Sequence, residues 1–422
     1  MTASKAGRGV NSASLRLYNE RALLLALRRA GEASKADLAR MAQLTNTAVG
    51  SIVQTLSDEG LIEQSGRRTE GQRGQPASLI RLQPKGAFGL GVRLDRGSIE
   101  VAMVDFAGHV LGSRAHQLVL PHPDQALELV RHDIAELRAL LAPAEQKRLL
   151  GIGVAQPYNL GAWLRELDVQ GEAFQASFRA WDQADFPAML NAATGLPVFG
   201  ENDGTAAAVA ELFYGHHHAQ HFLYVFLGPA IGGGVVLNGD CVRGVSGNAG
   251  DIAMMPVPRS TLPSAPPATG QGKRRDILLS RASLNALTRH LRHHGVVVDS
   301  HADLQRQVEL GHKAVDEWVT DCVDALAPAL QSALAVLDVP LVIFDADIDG
   351  GLVATLIARL QRALAVSAPE ARAPATVVRG CFGANAGAVG AASLPMFMNF
   401  SPRAELLRGA SAIVPEASHA MV

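Results

Sequence analysis

Three polar residues in a row, Glu201, Asn202 and Asp203, follow the apolar run Leu196–Phe199 and precede an alanine-rich stretch. This pattern predicts a strand, a turn and a helix, and α/β folds bind ligands where a strand ends and a helix begins. Asp203 could accept a proton from a sugar hydroxyl, and Asn202 could hydrogen-bond the same ring. Alternatively, Asp203 only caps the helix, which by itself stabilises a helix by about 1 kcal/mol. These residues alone favour neither interpretation.

The first part of the chain has the pattern of a helix-turn-helix. Apolar spacing predicts a first helix over 15–29, which Gly31 ends. Ser34 and Thr45 are suited to be the N-caps of two further helices that a tight turn separates. In a helix-turn-helix, the second of these helices lies in the major groove, and its first residues contact base edges.

A basic hairpin follows this predicted recognition helix. One strand begins at Leu61, another returns over Ser78–Leu82, and arginines surround the turn between them. This layout is typical of a wing, whose arginines follow the phosphates or enter a narrow minor groove. The predicted DNA contacts are polar or positively charged side chains of this head: Arg21, Lys35, Thr45, Asn46, Thr47, Ser51, Gln54, Arg67, Arg68 and Arg73.

The net charge of −2 hides an asymmetry. Residues 1–85 carry 13 Lys and Arg against 7 Asp and Glu, whereas the remainder carries 25 against 33. A basic head on an acidic body indicates that the head binds a polyanion. The alternative is a three-helix protein-interaction module, but short polar groups on the exposed helix face and the basic wing favour DNA.

From residue 85 onward, predicted strands alternate with helices, which indicates an α/β architecture. Strands are predicted over 88–94, 99–105, 149–155, 195–199, 222–226, 235–238, 340–345 and 375–378, and helices over 125–141, 352–365 and 384–393. A glycine-rich turn is predicted over 228–234. The proline- and serine-rich segment 256–275 is predicted to be a mobile surface loop.

The composition is that of a globular protein, with 48% hydrophobic and 18% charged residues. No stretch approaches the roughly 20 uninterrupted apolar residues of a membrane span, so no membrane partner is expected. The three cysteines, Cys241, Cys322 and Cys381, are scattered and form no CxxC pair. They are expected to be reduced thiols in a cytoplasmic protein.

Five segments, in order, resemble the ROK family of bacterial sugar-responsive repressors and sugar kinases: the helix-turn-helix, the turn Arg73–Pro76, PVFGENDGTAAAVAE, GPAIGGGVVLNGDCVRGVSGNAGD and GANAGAVGAA. The resemblance covers roughly residues 15–395. It implies an α/β protein with an N-terminal winged helix-turn-helix over 15–83 and a two-lobed, actin-like or ribonuclease-H-like ATPase fold over 85–398. One lobe would comprise residues 85–200 plus the C-terminal helix, and the other residues 201–380.

The resemblance also allows the kinase chemistry to be checked residue by residue. Arg93 stands where family kinases carry the Asp of their first phosphate-binding hairpin, and Gly97 replaces a hydroxyl residue. Their second phosphate loop, Gly-Thr-Gly, corresponds to Gly228-Pro229-Ala230, in which Pro229 lacks a backbone N–H and Ala230 adds a methyl group. Phosphoryl transfer depends on holding and neutralising the phosphates. We therefore expect no enzyme activity.

The sugar site of the family is partly retained. Asn202 and Asp203 match its sugar-binding and catalytic-base positions, and Asp251 stands for the Glu of the family's Ala-Gly-Glu-Ile-Gly-His. With Gly233, these residues form the predicted effector site. The zinc-binding cysteines of the family have no counterpart here, so no metal or other cofactor is expected. The histidines at 216–218 and 221 are predicted to belong to a solvated loop.

Together these features predict a homodimeric DNA-binding transcriptional regulator that represses carbohydrate metabolism genes. Its heads would bind an inverted repeat in double-stranded DNA, because one small module contacts too few base pairs for specificity. A sugar or sugar derivative between the lobes would change the geometry of the paired heads. Two alternatives stay open: an active ATP-dependent sugar kinase that also binds DNA, and a regulator that responds to a protein partner.

Overall fold

The structure, a computed structural model, describes residues 12–68, 77–161, 172–266, 275–348, 350–367 and 373–408. The described chain forms a small N-terminal head and a larger body. The body has two lobes, and each lobe is built on a five-stranded sheet.

The head combines three helices with a three-stranded antiparallel sheet in which β3 lies between β1 and β2. Its elements are α1 (Ser12–Ala30), β1 (Glu32–Ser34), α2 (Lys35–Ala42), α3 (Asn46–Asp58), β2 (Ile62–Arg68) and β3 (Ala77–Leu82). Ser34 caps α2 in a capping box with Asp37, and Thr45 caps α3. The left-handed backbone of Gln43 turns the chain between the two helices. The predicted helix-turn-helix and wing strands are confirmed.

The first lobe contains a sheet with the strand order β6-β5-β4-β7-β8. Its elements are β4 (Phe88–Asp95), β5 (Ser98–Asp105), β6 (Val110–Gln117), α4 (Pro123–Arg138), α5 (Pro143–Gln146), β7 (Leu149–Gln156), α6 (Glu172–Trp181), α7 (Phe186–Thr194) and β8 (Val198–Asn202). The strands β4, β5 and β6 are antiparallel, whereas β7 and β8 run parallel to β4.

The second lobe repeats this topology with the order β11-β10-β9-β14-β15 and the same strand directions. The remaining elements of the chain are α8 (Asp203–Tyr214), β9 (Phe222–Leu227), β10 (Ile231–Leu237), β11 (Asp240–Val242), β12 (Pro256–Val257), β13 (Asp276–Ile277), α9 (Leu278–Arg281), α10 (Leu284–His293), α11 (His301–Glu309), α12 (Lys313–Leu337), β14 (Leu341–Ala346), α13 (Gly351–Val366), β15 (Thr376–Arg379) and α14 (Ala386–Phe400). The duplicated sheet is that of the predicted actin-like fold.

Two helices rich in small residues, α8 and α14, pack against each other between the two sheets. A Cβ atom at Gly153 of β7 would overlap the carbonyl of Ala391 in α14, and one at Gly390 would overlap Ala206 in α8. The backbones therefore approach too closely for larger side chains. This explains the alanine and glycine content of both helices.

Several predicted boundaries in the body are wrong. The strand predicted over 195–199 begins and ends later, at Val198 and Asn202. Most of the predicted glycine turn belongs to β10, because residues 231–236 pair with β9. The last helix continues past Ser393 to Phe400, because the apolar side chains of its final turns are buried in the core.

The predicted mobile loop over 256–275 is also corrected. Its two ends pair as β12 and β13. Ser260 donates hydrogen bonds from its backbone to Asp276 (2.9 Å) and from its hydroxyl to Asp321 (2.8 Å). The described part of this segment is thus anchored to the second lobe, and residues 267–274 lie outside the described residues.

Among the described residues, one helix, α12, is long and apolar enough to cross a membrane by length and composition. Its side chains Trp318, Cys322 and Leu326 are buried in the apolar core of the second lobe. Asp321 of the same helix pairs with the buried Arg281 at 2.7 Å. These contacts make α12 a core helix of the second lobe.

Candidate functional site

A cavity of about 130 Å³ lies between the two lobes. The ends of β4 and β8, the first turn of α8 and the turn between β9 and β10 all contribute to its wall. All four predicted effector residues line it: Asn202, Asp203, Gly233 and Asp251. The sequence prediction missed further polar residues of the same wall: Asp95, Arg96, Tyr158, Asn159 and Asn248.

Asn202, and not Asp203, is the N-cap of α8. The Oδ1 atom of Asn202 accepts hydrogen bonds from the backbone N–H groups of Gly204 (2.9 Å) and Thr205 (3.4 Å). Asp203 is the first residue of the helix, and its Oδ1 atom lies 2.9 Å from the Gly204 nitrogen. The capping role weighed for Asp203 therefore belongs to its neighbour, and Asp203 itself faces the cavity.

Asp203 has an unusual electrostatic environment. Burial raises the pKa of its carboxyl group above the ordinary value, and Asp95 acts in the same direction, whereas Arg93 and the Gly204 N–H oppose them. A partly desolvated carboxylate binds a hydrogen-bond donor favourably, because the new bond replaces lost water contacts. A sugar hydroxyl is such a donor.

Asn248 links two of the predicted effector residues. Its Oδ1 atom accepts a hydrogen bond from the Asn202 amide (3.4 Å), and its own amide donates to Asp251 (3.0 Å). Burial raises the pKa of Asp251. The three side chains form a continuous polar wall. Asn248 belongs to the glycine-rich motif that ends at Asp251. Its place in that motif is the sequence signal by which it could have been predicted as a site residue.

Arg93 lines the cavity on the side of the first lobe. Its buried guanidinium forms ion pairs with Glu100 (2.7 Å) and Asp95 (3.5 Å). Burial opposes the charge, yet these two carboxylates hold the pKa of Arg93 above its ordinary value. A Cβ atom at Gly387 of α14 would overlap the Arg93 side chain. The cation is therefore fixed in place and neutralised by the protein.

The turn between β9 and β10 has its polar backbone groups occupied. The Gly228 N–H donates to the Ala230 carbonyl (2.8 Å), and Pro229 has no N–H. The carbonyls of Gly228 and Pro229 accept hydrogen bonds from Leu284 (2.8 Å) and Asn285 (3.4 Å). Neither Gly228 nor Pro229 therefore offers a backbone donor to a phosphate group.

Glu201, the first of the three consecutive polar residues, does not line the cavity. Side chains alternate between the two faces of a strand, and Glu201 forms an ion pair with Arg243. Burial raises the pKa of Glu201, and Arg243 opposes this.

Six of the predicted DNA contacts are exposed on the surface of the head. They are exposed at the start of α2 and along α3: Lys35, Thr45, Asn46, Thr47, Ser51 and Gln54. Gln54 donates a hydrogen bond to Asp58 of the same helix (2.8 Å). Arg67 and Arg68 belong to β2, and Arg73 lies outside the described residues.

Arg21 was predicted as a DNA contact, and this prediction is wrong. The residue is buried in α1, and its guanidinium donates to the backbone carbonyls of Met398 (3.4 Å) and Ser401 (3.2 Å) in the body. Burial and the neighbouring Arg403 lower the pKa of Arg21 to about 10. The Arg21 side chain therefore stabilises the contact between head and body.

A second arginine of α1, Arg28, also enters the body. Its Nη1 atom donates to the Phe106 carbonyl (2.6 Å), and its guanidinium lies 4.9, 4.2 and 4.8 Å from the ring centroids of Phe106, Phe213 and Tyr214. Burial lowers the pKa of Arg28. Phe213 and Tyr214 form the last turn of α8, whose first residue is Asp203. One helix thus joins the cavity to the head.

These contacts reduce the charge available for DNA. Of the 13 basic residues within 1–85, Arg21 and Arg28 donate hydrogen bonds to backbone carbonyls of the body. In addition, Arg81 pairs with Glu63 at 2.7 Å. Fewer basic side chains of the head are therefore available to DNA than the sequence contains. The count of basic residues alone overstates the evidence for DNA binding.

The fold and the cavity define a class of protein in which a winged helix-turn-helix head is joined to a two-lobed, sugar-kinase-like body. The family model described as "ROK family" matches residues 89–396. This chain belongs to the ROK family.

The individual relatives differ in how much of this chain they match. The chain is 28% identical to the uncharacterized protein y4fQ of Sinorhizobium fredii, over 90% of this chain and 91% of that protein. It is 25% identical to the xylose repressor of Bacillus spizizenii, over 57% of this chain and 60% of the repressor. It is 31% identical to a β-glucoside kinase of Listeria innocua, over 37% of this chain and 53% of the kinase. The last two alignments span little more than half of each relative.

Two solved structures share the fold. A ROK family transcriptional regulator described as a homolog of the E. coli MLC protein aligns with a TM-score of 0.63 and 20% identity, over 94% of this chain and 100% of that chain. A ROK family glucokinase from Streptomyces griseus, in complex with glucose and AMPPNP, aligns with a TM-score of 0.57 and 19% identity, over 73% of this chain and 99% of that chain. The alignment with the regulator thus covers nearly the whole of this chain, whereas the alignment with the glucokinase covers about three quarters of it.

Proposed function

We propose that this protein is a cytoplasmic DNA-binding transcriptional repressor of carbohydrate metabolism genes, controlled by a sugar or sugar derivative bound between the lobes. The observation that carries the proposal is the mixed character of the cavity. Its polar wall of Asn202, Asn248 and Asp251 suits sugar hydroxyls. At the positions where family kinases hold phosphates, in contrast, Arg93 is paired with Glu100 and Pro229 has no N–H to donate. The names of the xylose repressor relatives support the same conclusion.

The head supports a DNA-binding role through α3. Its exposed side chains Asn46, Thr47 and Ser51 carry hydrogen-bond donors and acceptors near the start of the helix, where recognition helices contact base edges. No basic residue lies in the first or last turn of α3. Phosphate contacts would therefore come from Lys35 and the wing arginines. Binding as a homodimer to an inverted repeat would double the contacted surface.

The alternative function is that of an ATP-dependent sugar kinase that also binds DNA. The presence of Asp203 in the cavity and the likeness of the body to a glucokinase favour it. Against it, a phosphoryl group needs cations and N–H donors that are free to neutralise it. Arg93 is already paired with Glu100 and Asp95, and Gly228 and Pro229 offer no N–H. We therefore propose that the body binds a sugar without phosphorylating it.

The DNA-binding surface predicts a positional effect of two equivalent substitutions on α3. Ser51→Ala is expected to weaken specific binding by about 1–3 kcal/mol, because a base contact is lost. Ser57→Ala, an exposed serine in the last turn of the same helix, is expected to have no measurable effect. Fluorescence anisotropy with the DNA upstream of the protein's own gene measures both. Equal losses, or no sequence-specific binding at moderate salt, would contradict the proposal.

The cavity predicts the behaviour of Asp203 variants. In a thermal-shift screen of hexoses, pentoses and amino sugars, at least one sugar is expected to raise the melting temperature, and Asp203→Ala is expected to abolish that shift. The exposed Asp299→Asn is the matched control. Because the pKa of Asp203 is raised, the ionised form that accepts a hydroxyl is lost as the pH falls through that raised pKa. Sugar affinity is therefore expected to decrease on acidification.

A coupled assay separates the proposed repressor from the kinase. No ATP-dependent turnover is expected with any sugar that gives a thermal shift. Turnover that Asp203→Asn abolishes would establish the kinase instead. Specific DNA binding without stabilisation by any sugar would favour a regulator that responds to a protein partner.

A further inference from the structure

We propose that Glu211, His217 and Cys381 form a binding site for a zinc-type divalent cation, at the end of α8 opposite the cavity. The three residues come from three segments: the third turn of α8, the loop after α8, and the turn after β15. One potential ligand atom from each residue lies within 4.8 Å of the other two. The site is independent of the sugar cavity and of the proposed repressor function.

His217 is oriented as a metal ligand usually is. Its Nε2 atom lies 2.8 Å from the Arg379 carbonyl oxygen. A carbonyl only accepts, so the Nε2 nitrogen carries the proton and donates it. The Nδ1 atom is then the unprotonated one and is available to a cation. A ligating histidine that donates its other N–H to a backbone carbonyl is the common arrangement around protein-bound metals.

Glu211 supplies the observation that points to a missing partner. The residue is 4% exposed. Its Oε1 atom accepts the Cys381 N–H, whereas its Oε2 atom is buried and accepts no N–H or O–H group from any described residue. The Cys381 thiol is the side chain that hydrogen-bonds this carboxylate. A buried carboxylate oxygen without a partner is costly. A cation would satisfy this oxygen.

Cys381 supplies the sulfur ligand on the solvent side. It is the exposed member of the protein's three cysteines, since Cys241 and Cys322 are buried. Burial and the neighbouring Glu211 raise the pKa of the Cys381 thiol to about 11, although the His216 N–H, which donates to its Sγ atom (3.4 Å), opposes this. The cation itself would therefore have to displace the thiol proton, as metals do when a thiol coordinates them. Because Cys381 faces solvent, a water molecule can complete the coordination of the cation.

The ligand types select the metal. Sulfur, imidazole and carboxylate together suit Zn²⁺, whereas Ca²⁺ and Mg²⁺ prefer oxygen ligands alone. Donor atoms around a tetrahedral Zn²⁺ lie about 3.5 Å apart, given bond lengths of about 2.0–2.3 Å. The three potential donors lie within 4.8 Å of one another, so binding would require the exposed side chains of His217 and Cys381 to move by roughly 1 Å.

A second group, His290, His294 and Glu317, has similar spacing but a different chemistry. Both ring nitrogens of His290 are occupied, by the Ser264 hydroxyl (2.8 Å) and by Glu317 (3.1 Å). Lys313 also pairs with Glu317 (3.1 Å). These residues satisfy one another and leave no ligand atom in need of a cation.

A cation at the proposed site would join the end of α8 to the turn that follows β15. Glu211 lies three residues before Tyr214, which contacts Arg28 of the head. Binding is therefore expected to stabilise the junction between head and body as well as the second lobe. Zinc added to the metal-free protein should raise its melting temperature.

Zinc titration of the full-length, EDTA-treated protein against a chromophoric chelator tests the proposal. Cys381→Ser and His217→Gln are each expected to lower zinc affinity by at least about 10-fold. His216→Gln is the matched control, because its side chain belongs to the same loop but not to the group. Unchanged affinity in Cys381→Ser would overturn the proposal. Since this thiol is exposed, the variant is expected to fold normally.

Thiol reactivity gives a second, independent readout. In the native protein, a disulfide reagent such as DTNB is expected to modify Cys381 before the two buried cysteines. One equivalent of Zn²⁺ should slow that reaction at least about 10-fold if the thiolate is coordinated. Cobalt in place of zinc should give a thiolate-to-metal absorption band that Cys381→Ser lacks. A reaction rate that is insensitive to zinc, or no such band, would also overturn the site.

Discussion

Replacement of Arg281 by alanine is expected to lower the free energy of unfolding by about 3–5 kcal/mol. The Arg281 side chain is 2% exposed and donates to both carboxylate oxygens of Asp321, at 2.7 and 3.0 Å. It also bonds the carbonyls of Pro258 (2.7 Å) and Asp321 (2.9 Å). Without the guanidinium, the Asp321 carboxylate remains buried with no positive charge beside it and keeps only the hydrogen bond from the Ser260 hydroxyl. Removing one partner of a buried ion pair is strongly destabilising for this reason. Urea denaturation monitored by circular dichroism measures the loss.

Two further variants separate charge from packing. Arg306→Ala removes an exposed arginine that pairs with Asp303 (2.7 Å), and it should change stability by less than about 0.5 kcal/mol. The double replacement Arg281→Met with Asp321→Leu should recover most of the loss, because apolar side chains of similar volume often substitute for a buried pair. If Arg281→Ala were as mild as Arg306→Ala, the buried pair would not hold the second lobe together.

The same network explains the anchored segment that the sequence presented as a mobile loop. Pro258 and Ser260 are bound by Arg281 and Asp321, which follow them by more than 20 and more than 60 residues in the sequence. Proline and serine are correct local signals for irregular structure. They contain no information about which distant side chains hold that structure in place.

Much of the candidate site was predictable because it rests on local pattern. The caps Ser34 and Thr45 fixed the helix-turn-helix, and ordered motifs placed Asn202, Asp203 and Asp251 at one edge of the body. In α/β folds, the ends of strands and the starts of helices meet at the same edge, so short motifs are sufficient there.

The wrong prediction for Arg21 has a different cause. An arginine on an amphipathic helix near other basic residues looks like a phosphate contact. Its partners, the carbonyls of Met398 and Ser401, are 377 and 380 residues away in the sequence. A charge count does not separate a cation that faces solvent from one that binds buried carbonyls. The grouping of Glu211, His217 and Cys381 was missed for the same reason, since it depends on contacts between distant segments.

Replacement of Arg28 by alanine is expected to lower the free energy of unfolding by about 3 kcal/mol. The estimate combines a desolvated cation–π contact, worth about 2 kcal/mol, with a charged hydrogen bond, worth about 1.5–3 kcal/mol, less the desolvation that the buried guanidinium no longer suffers. Arg16→Ala is the matched control on the same helix, because Arg16 is exposed and pairs with Glu20 (3.0 Å). That variant should change stability by less than about 0.5 kcal/mol.

Besides its effect on stability, Arg28→Ala is expected to abolish most of the influence of sugar binding on DNA affinity. A ligand shifts the head only if it binds two states with different affinities, and the states must differ in some contact between body and head. Helix α8 offers such a contact, since Asp203 at its start lines the cavity and Phe213 and Tyr214 at its end hold Arg28. The ratio of DNA affinities with and without a stabilising sugar is therefore expected to fall towards 1 in this variant.

Three affinities of the Arg28→Ala variant test this prediction: its affinity for the sugar, its affinity for DNA alone, and its affinity for DNA when the sugar is bound. Loss of coupling requires that Arg28→Ala still binds the sugar and still binds DNA, and that only the influence of one on the other disappears. Arg28→Met retains most of the volume but neither the charge nor the hydrogen bond to Phe106, so it should lose coupling with a smaller loss of stability. An unchanged ratio in both variants would contradict coupling through α8. The connection would then have to run through α14, whose Met398 binds Arg21 on the same helix of the head.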